Sequence, residues 1–163
     1  MELKVRRYEE LSLDELYAIL KVRSEVFVVE QQCAYQDVDG RDAESLHVFL
    51  EEGGEILAYL RIFPRTPEDA SREAEIRYPG VPGGGTGCVQ IGRVLTTCRG
   101  EGLGGRILKE GVRLARERFS PGAIYLEAQV YALGFYEREG FERISGEFLE
   151  DGIPHAEMML RMN

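Results

Sequence analysis

The sequence predicts a single α/β domain built on a mixed sheet, spanning residues 1–163. Three observations carry this. The length suits one domain with a full core. Alternating and 3.6-periodic segments interleave in the order β-α-β-β-(loop)-β-α-β-α-β-β, with no internal repeat. In the middle, an alternating, β-branched stretch at 88–97 passes through a glycine-rich turn at 98–105 into a strongly amphipathic segment.

Composition narrows the function. A net charge of −9 argues against a nucleic-acid backbone as partner. It is compatible with a cationic substrate and equally with a solvated acidic surface. Cys33, Cys88 and Cys98 have no metal-ligand spacing. With no leader recognised, they read as reduced thiols of a cytoplasmic protein. No apolar run approaches the roughly 20 residues of a membrane span. Neither a metal nor a membrane is expected, and a homodimer is left open.

Residues 3–8 alternate and read as the first strand. Ser12-Leu-Asp-Glu15 is a capping box, flanked by Leu11 and Leu16 as a staple. The helix that follows carries Leu16, Ile19, Leu20 and Phe27 and is expected to run to about Glu30. Residues 31–44 form a polar loop. Its Asp37-x-Asp39-Gly40 lacks the spacing and closing glutamate of a calcium loop, so it reads as a turn. Strands at 45–51 and 55–63 meet at Gly53-Gly54, a hairpin signal. Residues 64–87 lose periodicity and are rich in proline and glycine. They read as a mobile loop with a short helical turn at 68–75, closing over the acceptor or cofactor site. After the central strand and helix, Pro121-Gly122 turns into a strand at 123–129. A short helix at 131–139 stops at Gly140, and closing strands at 141–148 and 155–161 flank the loop 150–154.

The strand, glycine turn and helix together form an anion site. The first helical turn has unpaired N–H groups and the positive end of the helix dipole. Glycines let a diphosphate approach the backbone closely. Three readings compete. Gly100-x-Gly102-x-x-Gly105 with Glu127 some twenty residues on matches a dinucleotide fingerprint. However, Thr97, Cys98 and Arg99 intervene before the first glycine, and only 36 residues follow Glu127. A P-loop fails because no Gly-Lys-Ser/Thr follows the glycines. The third reading is Arg99-x-x-Gly102-x-Gly104, a pyrophosphate turn.

That turn resembles the acetyl-CoA motif of the Gcn5-related N-acetyltransferases (GNAT). Gln129-x-x-Ala132-x-x-x-Tyr136-x-x-x-Gly140-Phe141 resembles the family's second motif, with Gln129 where asparagine is commoner. Two motifs about 30 residues apart are more specific than either alone. A closer resemblance covers nearly the whole chain. Val26-Phe27-Val28-Val29-Glu30-Gln31, Ile91-Gly92-Arg93-Val94 and Glu150-Asp151-Gly152-Ile153-Pro154-His155 are similar to the ElaA-like acetyltransferases. The resemblance implies the GNAT fold. That is one mixed, mostly antiparallel central sheet flanked by helices, with two parallel central strands that pair at one end and splay at the other.

It also implies acetyl-CoA as the cofactor. Gly100, Gly102, Leu103 and Gly104 would cradle the pyrophosphate with Arg99, whose alternative reading is a solvated turn residue. Pantetheine would add along Val94, Leu95 and Thr96 like an extra strand, with Gln129 also in the cofactor set. Gly92 would allow a bulge where the splay begins, and the amide near Leu95 would polarise the thioester carbonyl. The side chains of Val94 and Leu95 also read as strand core, a compatible role.

Tyr136 is the candidate general acid, because a phenol with a pKa of about 10 stays protonated at neutral pH and can donate to a leaving thiolate. It also reads as a core residue of a short helix. Glu127, His47 and His155 are candidate bases. Glu30, Asp37, Asp39, Glu150 and Asp151 would attract a cationic amine or simply face solvent. The expected reaction is direct transfer of acetyl to a primary amine in a ternary complex, without a cysteine relay. The alternative is a non-catalytic acyl-CoA-binding or regulatory module. Small-molecule and peptide amines both remain open as partners.

Overall fold

Ser12 caps the first helix as its spacing predicts. Its hydroxyl accepts from the Glu15 amide and Glu15 Oε1 accepts from the Ser12 amide, both at 3.0 Å. The computed structural model describes residues 1–66, 69 and 87–162. Elements in chain order are β1 (Glu2–Arg7), α1 (Leu13–Arg23), β2 (Leu46–Glu52), β3 (Glu55–Pro64), β4 (Cys88–Thr96), α2 (Leu103–Phe119), β5 (Ala123–Gln129), α3 (Leu133–Glu137), β6 (Glu142–Arg143), β7 (Phe148–Glu150) and β8 (Ile153–Arg161). Among the described residues no helix is long and apolar enough to cross a membrane.

The chain gathers into two compact units, each made of two separate chain segments. The first holds Met1–Phe63 and Gly92–Gly111. Here β1 pairs antiparallel with β2, and β2 with β3. The C-terminal half of β4 continues this order, with the Thr97 amide donating to the Leu57 carbonyl at 2.9 Å. The β2–β3 turn is the hairpin foreseen: Gly53 and Gly54 have φ of 59° and 83°, the left-handed pair that a two-residue turn requires. The core packs Ile19 and Val22 of α1 on Phe49, Ile56, Tyr59 and Leu95 of the strands. The helix does reach Glu30, but Ser24–Glu30 winds as a π-helix. Such turns are rare and concentrate at functional sites.

The second unit holds Pro64–Ile91 and Val112–Asn163. Here β4 pairs parallel with β5, from Cys88↔Ala123 to Gln90↔Tyr125. The parallel register ends there, while β5 runs on to Gln129 against antiparallel β8. This is the one-ended pairing that the resemblance implies. β6 and β7 both lie on β8. The single strand expected at 141–148 is thus two short ones. The break falls at Ser145, whose hydroxyl accepts the Glu157 amide at 2.7 Å in place of a backbone carbonyl. The loop expected at 150–154 shrinks to a tight turn, with Asp151 and Gly152 at φ of 51° and 77°. The helix expected at 131–139 is a 3-10 turn, Val130–Ala132, followed by the five residues of α3.

The expectations for a mobile loop at 64–87 and a helical turn at 68–75 fall almost wholly outside the described residues. At its near edge, Thr66 and Asp69 exchange the reciprocal bonds of a helix start, at 2.9 and 3.1 Å.

Candidate functional site

The glycine turn lies in the first unit. Gly100 and Gly102 have φ of 81° and 73°, which L side chains rarely adopt. The Arg106 amide donates to the Gly102 carbonyl at 3.1 Å, so the helix ladder starts there and the amides before it have no intrahelical acceptor. Nothing lies within 4 Å of a Cβ built at Gly100, Gly102 or Gly105. The bare positions therefore face open space and are not spent on tight packing. The first turn of α2 carries no acidic residue, so the field there favours an anion. Leu103 is buried and pins the helix start. Gly104 is half-buried. Arg99 is exposed and forms an ion pair with Glu30. Glu30 thus neutralises the turn's own cation.

Leading into the turn, the Leu95 side chain is buried in the core, while Val94 and Thr96 are half-buried. Side-chain packing at Leu95 leaves its backbone role open. Gly92 itself has no positive φ; Arg93, its neighbour, is left-handed at φ 52°.

The acidic loop holds groups whose partners were not foreseen. Asp37, Asp39 and Asp42 do not simply face solvent. Arg23, fully buried, reaches Asp37 Oδ2 at 2.9 Å and Asp42 Oδ1 at 2.6 Å. Arg61 forms a fork on Asp39 at 2.8 and 2.5 Å and touches Asp42 at 3.0 Å. Arg93 reaches the Asp37 carbonyl at 3.0 Å and Asp39 Oδ2 at 3.4 Å. Burial opposes the Asp39 charge, yet the Arg61 fork holds that carboxyl well below the usual carboxylate range. The sequence signal was three aspartates in six residues; nothing in it named Arg23, Arg61 and Arg93 as their partners.

His47 is buried in the same unit. Its Nε2 lies 2.9 Å from the Asp42 carbonyl and its Nδ1 2.8 Å from the Tyr59 hydroxyl. Both ring nitrogens are engaged within the core, and burial lowers its pKa.

The second unit brings three of the predicted residues together. Glu127 stands opposite Glu157, and Gln129 opposite His155, across β5 and β8. Alternate residues share a face, so Glu127, Gln129, His155 and Glu157 line one side of this pair. Tyr125 joins them, its hydroxyl 2.5 Å from Glu157 Oε2 and 3.2 Å from Glu127 Oε1. Glu157 is fully buried, whereas Glu127 and Gln129 are half-buried. His155 Nδ1 lies 2.7 Å from the Ile153 carbonyl, which can only accept, so Nδ1 carries a proton, and Nε2 stands 3.9 Å from Glu150 Oε2. Tyr136, on α3, has a ring buried to 9% exposure, edge-on to Phe135 and Phe141. Its hydroxyl has no hydrogen-bond partner among the described residues. Burial pushes its pKa well above the usual phenol value.

Residues 89–162 match the acetyltransferase (GNAT) domain family. Protein ElaA of Escherichia coli is 34% identical over 155 residues, covering 93% of this chain and 90% of that one. Its crystal structure superposes with a TM-score of 0.81 over 98% of this chain and 99% of that one. A UPF0039 protein of Mycobacterium tuberculosis is 39% identical over 156 residues, 93% of this chain and 87% of its own. An acyl-CoA N-acyltransferase of Pseudomonas aeruginosa is 34% identical, with a TM-score of 0.80 over 98% of this chain and 99% of that structure.

Proposed function

This chain belongs to the GNAT acetyltransferase family, alongside the ElaA and UPF0039 proteins, and from that membership we propose that it transfers an acetyl group from acetyl-CoA to a primary amine by direct attack in a ternary complex. The observation that carries the reading is the glycine turn. Two left-handed glycines open onto free space at the start of a 17-residue helix with no acid in its first turn. That is a backbone cradle for a diphosphate, and it fits the cofactor the family uses.

Acetyl-CoA, when bound, supplies the activated acyl thioester. The amides of Leu103 and Gly104 and the dipole of α2 hold the diphosphate, with Arg99 adding charge. The main chain of Val94, Leu95 and Thr96 receives the pantetheine arm, and an amide at Leu95 is the donor for the thioester oxygen. Gln129 adds a polar contact from β5. Glu127, or a water it holds, takes the proton that the attacking amine must lose. Tyr136 donates its phenolic proton as the sulfur departs. His155 is the rival base: the Ile153 carbonyl engages Nδ1 and leaves Nε2, 3.9 Å from Glu150 Oε2, as the nitrogen that would take up the amine proton. His47 is the weaker choice, since its Nδ1 lone pair already accepts from Tyr59.

The test is a panel of amines, comprising polyamines, aminoglycosides, amino acids and peptides with free N-termini. CoA release is measured and corrected for acetyl-CoA hydrolysis. Transfer to at least one class is expected. CoA binding without transfer to any of them would replace this reading with a binding or regulatory module. Tight NAD(H) binding without CoA binding would remove acetyl-CoA itself.

A further inference from the structure

Among the described residues, Arg93 is one of four non-glycine residues with positive φ, at 52°. The other three, Gln32, Ser120 and Asp151, lie outside every strand and α-helix. Arg93 alone sits inside a strand, β4. Left-handed backbone is disfavoured for a residue with a Cβ and persists when its surroundings hold it.

The surroundings here are specific. Arg93 Nη2 donates to the Asp37 carbonyl at 3.0 Å and lies 3.4 Å from Asp39 Oδ2. Its Nε is 2.8 Å from Asp37 Oδ1, an ion pair without hydrogen-bond alignment. The guanidinium also stands over the Tyr35 ring, 5.5 Å from its centroid. The acidic residues are themselves fixed from behind. Asp37 is held by Arg23 at 2.9 Å and by the Tyr35 hydroxyl at 2.8 Å. Asp39 is held by the fork of Arg61. Arg23 and Arg61 are 0% and 3% exposed, so these anchors are set in the core.

The next three residues, Val94, Leu95 and Thr96, are those assigned above to the pantetheine arm and the thioester oxygen. A φ rotation at residue 93 turns every peptide group that follows it. We propose that Arg93 is a positioning residue: clamped by Asp37 and Asp39, it holds its own backbone left-handed and so fixes the direction in which the peptide groups of Val94–Thr96 point toward an acyl-CoA. The last clause rests on the acetyl-CoA reading; the clamp itself does not.

The experiment uses the full chain and three variants. Arg93→Ala removes the clamp and disfavours positive φ. Arg93→Gly removes the clamp and permits positive φ. Asp39→Asn weakens the clamp from the loop and leaves residue 93 intact. Relaxation dispersion of the 94–96 amides in the ligand-free protein reads whether this segment exchanges between conformations. Calorimetry reads CoA affinity. Arg93→Ala is expected to broaden the three amides and weaken CoA at least tenfold. Arg93→Gly should recover part of that affinity, and Asp39→Asn should broaden the same amides to a smaller degree. If Arg93→Ala does not fold, the other two variants still decide the point. Unbroadened amides with unchanged CoA affinity in the folded variants overturn the proposal, as do equal losses in Arg93→Gly and Arg93→Ala. A wild-type chain that does not bind CoA, with the broadening pattern intact, overturns the cofactor reading and keeps the clamp. Wild-type binding with variants that match it does the reverse.

Discussion

His47 Nδ1 accepts a hydrogen bond from the Tyr59 hydroxyl at 2.8 Å, and this bond fixes the state of the ring. On the other side Nε2 faces the Asp42 carbonyl at 2.9 Å, which can only accept. The proton therefore sits on Nε2 and the ring is neutral. Burial lowers the pKa of His47. Its folded value lies below its unfolded value of about 6.5, so the unfolded chain takes up the proton first. The stability this site contributes is complete above about pH 6.5 and is lost as pH falls from there through the depressed folded value. Melting temperature measured from pH 8 to pH 5 should decline below about 6.5. His47→Gln keeps a donor and an acceptor without a titrating ring and should flatten that decline. An unchanged slope would mean that another group titrates there.

Much of the fold was legible because local chemistry dictated it. Ser12 and Glu15 form the capping box, Gly53 and Gly54 the hairpin turn, and β5 spans the 123–129 expected of it. The misses have physical causes. The strand expected at 141–148 breaks where the Ser145 hydroxyl takes the place of a backbone acceptor for the Glu157 amide, a long-range substitution invisible to periodicity. The acidic loop read as solvated because its partners, Arg23, Arg61 and Arg93, come from three other elements and meet it only in the fold. A bulge was expected at Gly92 on the strength of its missing side chain; the left-handed φ beside it belongs to Arg93, which no local pattern marks and whose side chain is held by the acidic loop. At the candidate site, the two-residue period of a strand is enough to put Glu127 and Gln129 on one face of β5. That His155 and Glu157 face them is a matter of β8 register, which no local pattern specifies.

Gly102→Trp should abolish measurable CoA binding in a folded chain. Nothing lies within 4 Å of a Cβ at this position, so the indole would occupy the open space a diphosphate needs, and φ 73° is strained for it. Arg99→Ala should act far more weakly. A charge-assisted hydrogen bond contributes about 1.5–3 kcal/mol. Here the side chain is 77% exposed and already pairs with Glu30, so a loss of about 1 kcal/mol or less is expected. Glu30→Gln frees the arginine and should raise CoA affinity severalfold, an effect that fades with added salt. Calorimetry on the three variants checks the order. Unchanged affinity in Gly102→Trp would put the cradle elsewhere.

Replacing Cys33, Cys88 and Cys98 together by alanine should leave turnover within about twofold once losses of folded protein are corrected, since direct attack needs no thiol. Burial pushes the Cys88 thiol pKa up, which leaves it a poorer nucleophile at neutral pH. Cys33 is buried as a small apolar residue. An acetylated cysteine trapped by rapid quench in the wild-type chain would instead establish a relay.

Tyr136→Phe removes one hydroxyl and almost no volume. The ring packs on Phe135 and Phe141 with centroids 5.0 and 6.1 Å away, and phenylalanine keeps both contacts. The hydroxyl bonds to no described residue, so its loss leaves no described partner unsatisfied and stability should change by less than about 1 kcal/mol. CoA affinity should stay within about twofold. Turnover should fall by about 10²–10⁴-fold if proton donation limits the rate. The pH profile adds a second check. Burial raises the Tyr136 pKa above its usual value of about 10, so the phenol keeps its proton throughout the working range. The alkaline side of the wild-type profile should then show no loss of this acid below about pH 10. Undiminished turnover in Tyr136→Phe would keep the acetyl transfer and take the tyrosine out of its mechanism.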